Sequence, residues 1–289
     1  MRDLSVDNIT DAVIGSIAGT EDPRLKELLS VFIRKAHEAV RETKLQQDEW
    51  TGLVEFLRRT GDISDAHRNE FIIMSDILGI SSLMDLMNAA QAPASTTSSL
   101  LGPFFVPDTP MLPVGGDLIK DNEGDRIVVQ GRVLSSNGDP LPGALLEFWQ
   151  NAANGLYSNM DPGQHDDNLR CRMLSDDTGC YSLSTIRPVS YEVPDDGTGG
   201  EFIRATGRHC WRPAHLHVRV QSDRHNDLVT EIFDMQDDYL DQDAVFGVRT
   251  ALALPFTREP TAEEQSRYAE VAAPYTMVDF DFVLQPVDP

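Results

Sequence analysis

The 289-residue chain reads as an α+β protein in two parts: a helical segment over residues 1–100, then an antiparallel β-sandwich over residues 101–289. Three observations predict this. Apolar residues recur at three- and four-residue steps from Asp22 to about Gln91, the period of a helix with one apolar stripe. Ser, Thr, Pro and Gly then accumulate in ASTTSSLLGPFFVPDTPMLPVGGD, an irregular connection. Beyond it, short β-rich runs alternate with Gly, Pro, Asn and Asp, the punctuation of a sandwich.

Taken in order, the stretch before Asp22 reads as helical. Leu25, Leu28, Leu29, Phe32, Ile33, Ala36, Ala39 and Val40 draw the stripe of the next helix, with Asp22-Pro23 as its N-cap and first-turn proline. A further helix carries Trp50, Leu53, Val54 and Leu57 and stops near Gly61. Ser64 or Asp65 caps another, running through Phe71, Ile72, Met74, Ile77 and Leu78 to Gly79. Strands are expected at RIVVQGRVL, ALLEFWQ, YSLSTI, HLHVRV, DLVTEIF, VRTALAL and YTMVDFDFVL.

Charge narrows the function classes. The 24 Lys and Arg against 47 Asp and Glu leave a net charge of −23, which repels phosphate backbones and anionic headgroups and argues against nucleic-acid binding. No apolar run approaches the ~20 residues of a membrane span. The start MRDLSVDNITDAV lacks the basic flank and apolar stretch of a secretory signal. Cys171, Cys180 and Cys210 form no C-x-x-C and cannot all pair, so free thiols in the reducing cytoplasm are expected.

The strongest chemical signal is Arg212-Pro213-Ala214-His215-Leu216-His217. Residues two apart on a strand share a face and lie roughly 6.5 Å apart along it, so two imidazoles can converge on one metal ion. The same spacing also suits two half-exposed strand histidines. His37, His67, His165, His209 and His225 are scattered, and nothing suggests zinc; a two-histidine, one-carboxylate set stays open. Tyr157 and Tyr191 stand in turn-rich contexts near strand ends.

The run from LLEFWQNAANGLYSN to SYEVPDDGTGG, followed by GRHCWRPAHLHVRV, resembles the intradiol ring-cleaving dioxygenases, a likeness covering most of residues 64–250. In that family two tyrosinates and two histidines bind Fe(III), one ion per subunit. The resemblance puts these on Tyr157 and His217 (equatorial) and on Tyr191 and His215 (axial). The physics suits the set: phenolates are hard anionic donors, and two of them with one hydroxide balance three positive charges in a buried site. An aromatic diol would lose its protons, to hydroxide and to the displaced Tyr191, chelate the iron and react with O2, giving a dicarboxylate holding both oxygen atoms. Arg212 matches an arginine beside the substrate ring, where a fixed cation stabilises developing negative charge; pairing with a surface acid is its alternative. His209 and Trp211 read as packing or as support behind the ligands.

For the substrate, Leu101-Gly102-Pro103-Phe104-Phe105 stands where catechol-cleaving members carry a Glu-Gly-Pro-Leu-Tyr-like string, and it resembles the hydroxyquinol (benzene-1,2,4-triol) branch. So do Ile73-Met74-Ser75-Asp76 and the string from Leu240 to Val248. The resemblance implies substrate contacts at Ile73, Asp76, Gly102, Pro103, Phe104, Val193 and Val245. Asp76 could accept a hydrogen bond from a third ring hydroxyl, or belong to its helix's solvent face. Glu231 replaces a glutamine usual in catechol-cleaving relatives, and either faces the iron or points outward. Catechol or chlorocatechol cleavage is the alternative activity, and a non-catalytic β-sandwich binding module on a helical dimerisation segment is the alternative class. The likeness further implies a homodimer through the N-terminal helices and a phospholipid-like molecule at that interface.

Overall fold

The computed structural model describes residues 3–65, 68–90, 92–120 and 123–287; His67 and the Gln91 limit of the helical pattern lie outside them. Among the described residues no helix is long and apolar enough to cross a membrane. The chain divides into two compact units, Met1–Arg59 and Thr60–Pro289. This differs from the compositional division at residue 100, because the helices over 70–89 belong to the unit that carries the sheets.

In the first unit, α1 (Ile9–Ser16) packs on α2 (Pro23–Thr43), and α3 (Gln47–Asp62) begins beyond them. The expected cap forms: Asp22 Oδ1 accepts from the N–H groups of Arg24 (2.8 Å) and Leu25 (3.2 Å), with Pro23 at the first helical position. Much of the apolar stripe of α2 is exposed among the described residues. Leu25, Leu28 and Leu29 are exposed, and Phe32 is 71% exposed.

The second unit opens with α4 (Glu70–Ile77) and α5 (Ile80–Ala89). The α4 start differs from expectation. Asn69 is the cap, accepting from Phe71 N (3.1 Å) and Ile72 N (3.3 Å), while Ser64 and Asp65 serve the preceding turn by accepting from the N–H groups of Glu70 and Arg68. Asn, Ser and Asp cap equally well, so the sequence offers several starts and the tighter turn decides. The strands are β1 (Gly116–Asp117), β2 (Arg126–Ser135), β3 (Leu145–Trp149), β4 (Arg170–Leu174), β5 (Cys180–Ile186) and β6 (Tyr191–Glu192). After α6 (Thr198–Ala205) come β7 (Trp211–Arg212), β8 (His215–Gln221), β9 (Leu228–Asp234) and β10 (Ala253–Leu254). The chain closes with α7 (Ala262–Arg267), β11 (Tyr275–Asp279) and β12 (Phe282–Leu284). The VRTALAL run is irregular at its start, forms a 3-10 turn over Thr250–Leu252, and has only its last two residues in a strand.

One sheet runs β1-β5-β2-β11 with β12 also on β2, and the other runs β10-β9-β8-β3-β4. The central pairings are antiparallel, as expected. β1, β10, β11 and β12 join in parallel, because each arrives by a connection longer than a hairpin. Between the sheets pack Ile127, Val129 and Val133 of β2, Leu146 and Phe148 of β3, and Leu216, Val218 and Val220 of β8. That alternation fixes the other face of β8, where His215 and His217 point away from this core.

The pair β6–β7 sets Tyr191 opposite Arg212. α4 is held to α6 by the buried Glu70, whose Oε1 accepts from Gly199 N at 2.8 Å and whose Oε2 takes Arg68 at 2.9 Å. Phe148, 1% exposed, touches Tyr181 and Phe282 across the sandwich. Phe148→Ala is expected to cost about 3–5 kcal/mol, measured as a fall in the urea midpoint at unchanged slope; a cost under about 1 kcal/mol would contradict this packing.

Candidate metal centre

The floor of the site is the outward face of the β3-β8-β9 sheet. Register sets Trp149 and Glu231 on either side of His217, and Phe233 beside His215. The Trp149 indole stacks on the His217 ring at 4.8 Å and 4°. Gly102, at φ +69°, passes so close that a Cβ would lie 3.3 Å from His217 Cε1, which only glycine accommodates in that conformation.

The two histidines meet at their Nε2 atoms, 3.2 Å apart. His215 Nδ1 lies 2.7 Å from the Pro213 carbonyl oxygen, which can only accept, so Nδ1 carries the proton and Nε2 a bare lone pair. Glu231 Oε1 lies 3.5 Å from His217 Nδ1, favouring the same tautomer there. Burial drives both rings neutral: His215 falls to about 4, with the Arg212 charge adding to the effect, and His217 falls well below the usual histidine range. Two buried lone pairs facing each other are an arrangement that a cation between them would favour. Imidazole nitrogens each ~2.1 Å from one ion would sit about 3.2 Å apart at a bond angle near 100°, so the pair fits.

Both tyrosines join them. Tyr157 Oη lies 3.5 Å from His215 Nε2, and the two phenol rings meet edge-on at 5.5 Å. Phe104 stacks on Tyr157 at 4.5 Å. Burial raises the Tyr157 phenol well above its ordinary value, and the neighbouring Tyr191 raises it further. Burial raises Tyr191 too, against the opposing pull of Arg212. Neither phenol ionises unaided, and a bound cation is what would favour both phenolates.

Arg212 closes the ring of groups. Nη1 lies 3.2 Å from His215 Nε2 and 3.5 Å from Tyr191 Oη. Asp243 accepts twice from the same guanidinium, at 3.1 and 3.2 Å, and Glu231 Oε1 stands 2.9 Å from Nη1. Sequence reasoning assigned Asp243 no part, and the orientation of Glu231 was open; Glu231 is fully buried and faces the site. Burial alone would raise its carboxyl, but Arg212 together with His215 and His217 outweighs that and lowers it to about 2. Ser99 Oγ donates to Oε2 at 2.5 Å. Glu231, His215 and His217 also form a carboxylate–imidazole group with ligand atoms within 4.8 Å of one another. Its carboxylate is taken by Arg212 and Ser99, which makes it a counter-ion in this arrangement. Gly247 makes room for the cluster: a Cβ there would lie 2.8 Å from Arg212, 2.9 Å from Glu231 and 3.0 Å from Asp243. Trp211 and His209 pack on Tyr239, as expected.

All seven residues expected at the substrate, Ile73, Asp76, Gly102, Pro103, Phe104, Val193 and Val245, line one small cavity of about 20 Å³ with Tyr191 and Arg212 in its wall. Burial raises the Asp76 carboxyl to about 6, against the hydrogen bond from Ser81. Outside lies a cleft of about 610 Å³ that shares Phe104, Tyr191, Val193 and Pro194 with the inner cavity.

Comparisons with known proteins identify relatives along nearly the whole chain. Residues 22–96 match the family model described as the catechol dioxygenase N terminus, and residues 101–286 match the one described as dioxygenase. The chain is 40% identical over 275 residues to a hydroxyquinol 1,2-dioxygenase of Rhizobium sp. (strain MTP-10005), covering 95% of this chain and 93% of that one. It is 37% identical over 286 residues to a 6-chlorohydroxyquinol 1,2-dioxygenase of Cupriavidus pinatubonensis, covering 99% of each. The crystal structure of hydroxyquinol 1,2-dioxygenase from Pseudomonas putida DLL-E4 superposes with a TM-score of 0.88 at 38% identity, over 97% of this chain and 98% of that one. With matches spanning nearly its whole length, the chain belongs to the intradiol ring-cleavage dioxygenase family.

Proposed function

We propose that this chain cleaves hydroxyquinol between its adjacent hydroxylated carbons, benzene-1,2,4-triol and O2 giving 3-hydroxy-cis,cis-muconate, the enol form of maleylacetate. The observation that carries the reading is the convergence of two buried phenols on two imidazole nitrogens 3.2 Å apart. Tyr157, Tyr191, His215 and His217 would hold one ferric ion per subunit. Bound there, Fe(III) would supply a Lewis acid that draws electron density from the diol ring, readying it for O2.

The remaining work falls to side chains. Tyr191 stands between the outer cleft and the inner cavity, and about 20 Å³ holds no more than a water molecule, so a ring enters as Tyr191 swings aside. Its phenolate accepts a substrate proton as it leaves. Arg212, locked by two carboxylates, keeps its cation beside the space that Tyr191 vacates and stabilises charge developing on the ring. Asp76 accepts a hydrogen bond from the third hydroxyl. A catechol would leave that buried carboxylate without this partner, a penalty that discriminates between the two. Catechol or chlorocatechol cleavage is the second reading, favoured by the apolar wall of Ile73, Val193 and Val245.

The residue-100 boundary is our proposed division between a dimerising part and a catalytic part, and it falls beside the junction of the two family matches. The exposed α2 stripe of Leu25, Leu28, Leu29 and Phe32 supports a homodimer through the N-terminal helices. A phospholipid at that interface rests on the resemblance alone. Three free cysteines accord with the cytoplasm.

Ferric loading of the metal-free protein is expected to produce a burgundy tyrosinate charge-transfer band. Tyr157→Phe should lose most of the colour and turnover, and a colourless, inert ferric-loaded wild type would favour the binding-module alternative. Arg212→Gln should keep the colour while kcat falls about 10²–10³-fold, checked by stopped-flow absorbance on the triol. With Asp76 at about 6, KM for the triol should rise as pH drops through that value and the accepting carboxylate protonates. In Asp76→Asn the KM profile should be flat, and the preference for triol over catechol should shrink about 10-fold or more.

A further inference from the structure

Arg170, the first residue of β4, is 2% exposed, and among the described residues it makes no ion pair. Its three acceptors are all neutral: Ser158 Oγ at 2.8 Å from Nε, the Phe104 carbonyl at 2.6 Å from Nη1, and Asn159 Oδ1 at 2.6 Å from Nη2. A buried guanidinium without an anion is costly, and hydrogen bonds to neutral atoms satisfy its protons but leave its charge. Two groups bear on that charge in their anionic forms, Tyr157 and Asp167; the Asp167 backbone carbonyl accepts from Arg170 N at 3.3 Å, and among the described residues its carboxylate forms no ion pair with the guanidinium. The guanidinium carbon sits 5.9 Å from the centre of the Tyr157 ring, within cation–π range.

The three bonds have a common geometry. Ser158 and Asn159 directly follow Tyr157 in the chain, and Phe104 both lines the substrate cavity and stacks on the Tyr157 ring. One planar fork therefore ties the loop of the phenol to the wall of the pocket, a task that a point-charge ammonium cannot do at three acceptors in fixed directions. We propose that Arg170 is a positioning residue for Tyr157: its fork clamps the 157–159 loop to Phe104, and its charge faces the phenolate present when ferric iron is bound. The assignment rests on Tyr157 being a metal ligand.

Metal-free wild type, R170Q and R170K are titrated with ferric iron and dialysed against a chelator; band wavelength, iron per chain and KM for the triol are then read. Removing a cation beside the donor ring raises its electrons in energy, so the R170Q band should move to longer wavelength and iron per chain should fall severalfold. R170K keeps the charge without the fork. Its band should return to the wild-type position while KM stays raised severalfold, a split that a merely structural role would not give. An unmoved R170Q band with full iron overturns the proposal, and so does an equal shift in both variants. Should circular dichroism show R170Q unfolded, R170K decides alone: a wild-type band supports the proposal and a displaced one overturns it. A colourless ferric-loaded wild type removes Tyr157 as a ligand and takes this inference with it, whereas a coloured wild type with unshifted variants defeats Arg170 alone.

Discussion

Strand β8 does two jobs with one periodicity. Leu216, Val218 and Val220 are buried between the sheets, and the residues interleaved with them, His215 and His217, are thereby held on the opposite face. A slip of one residue in the pairing of β8 with β3 would turn the imidazoles into the apolar core and the aliphatic side chains into the site. Register is thus enforced by apolar burial worth many kcal/mol, and the nitrogen–nitrogen separation of 3.2 Å follows from it. The neighbours obey the same rule. β3 contributes Trp149 and β9 contributes Glu231 to the outward face, while Phe148 and Ile232 go inward.

Around that floor the protein manages charge among side chains buried from solvent. Two carboxylates, Glu231 and Asp243, hold one guanidinium, leaving the trio one negative charge in excess. Two neutral imidazoles lie alongside. On the Tyr157 side the balance has the opposite sign, since Arg170 brings a positive charge that among the described residues forms no ion pair. The site therefore has a dipolar surround, anionic near Arg212 and cationic near Tyr157. Fixed charges of this kind are already oriented before a reaction begins, which is what makes them effective.

How much of this was legible beforehand depended on the kind of element. The histidine pair announced itself because a period-two pattern survives translation into a strand, and the α2 cap because Asp-Pro has few other uses. The α4 start was ambiguous, since Ser64, Asp65 and Asn69 are all competent caps and only the turn geometry separates them. Tyr157 and Tyr191 sit outside any long periodic run, so no spacing argument reaches them; family likeness alone singled them out. Glu231 resisted reading for another reason. Both faces of β9 are buried, so alternation carries no polar–apolar contrast there, and only the pairing of His217 with Glu231 shows which way it points. The short helix α7 was missed although Thr261 and Glu264 form a capping box, a signal that was available. The parallel pairings of β1, β10, β11 and β12 depend on long connections whose course no local pattern records.

Gly247 carries a last implication. One of its two α-hydrogens occupies a volume on which Arg212, Glu231 and Asp243 all border within 3.0 Å of where a methyl would stand. Four sequence positions, separated by up to 35 residues (247 − 212), therefore share one small allotment of space. An exchange at any one of them alters which exchanges the other three tolerate, so their effects should be strongly non-additive. Laboratory selection for a new ring specificity that mutates these positions singly would meet mostly inactive intermediates. Varying the quartet as a block, or leaving it untouched and diversifying Ile73, Val193 and Val245, is the more open route.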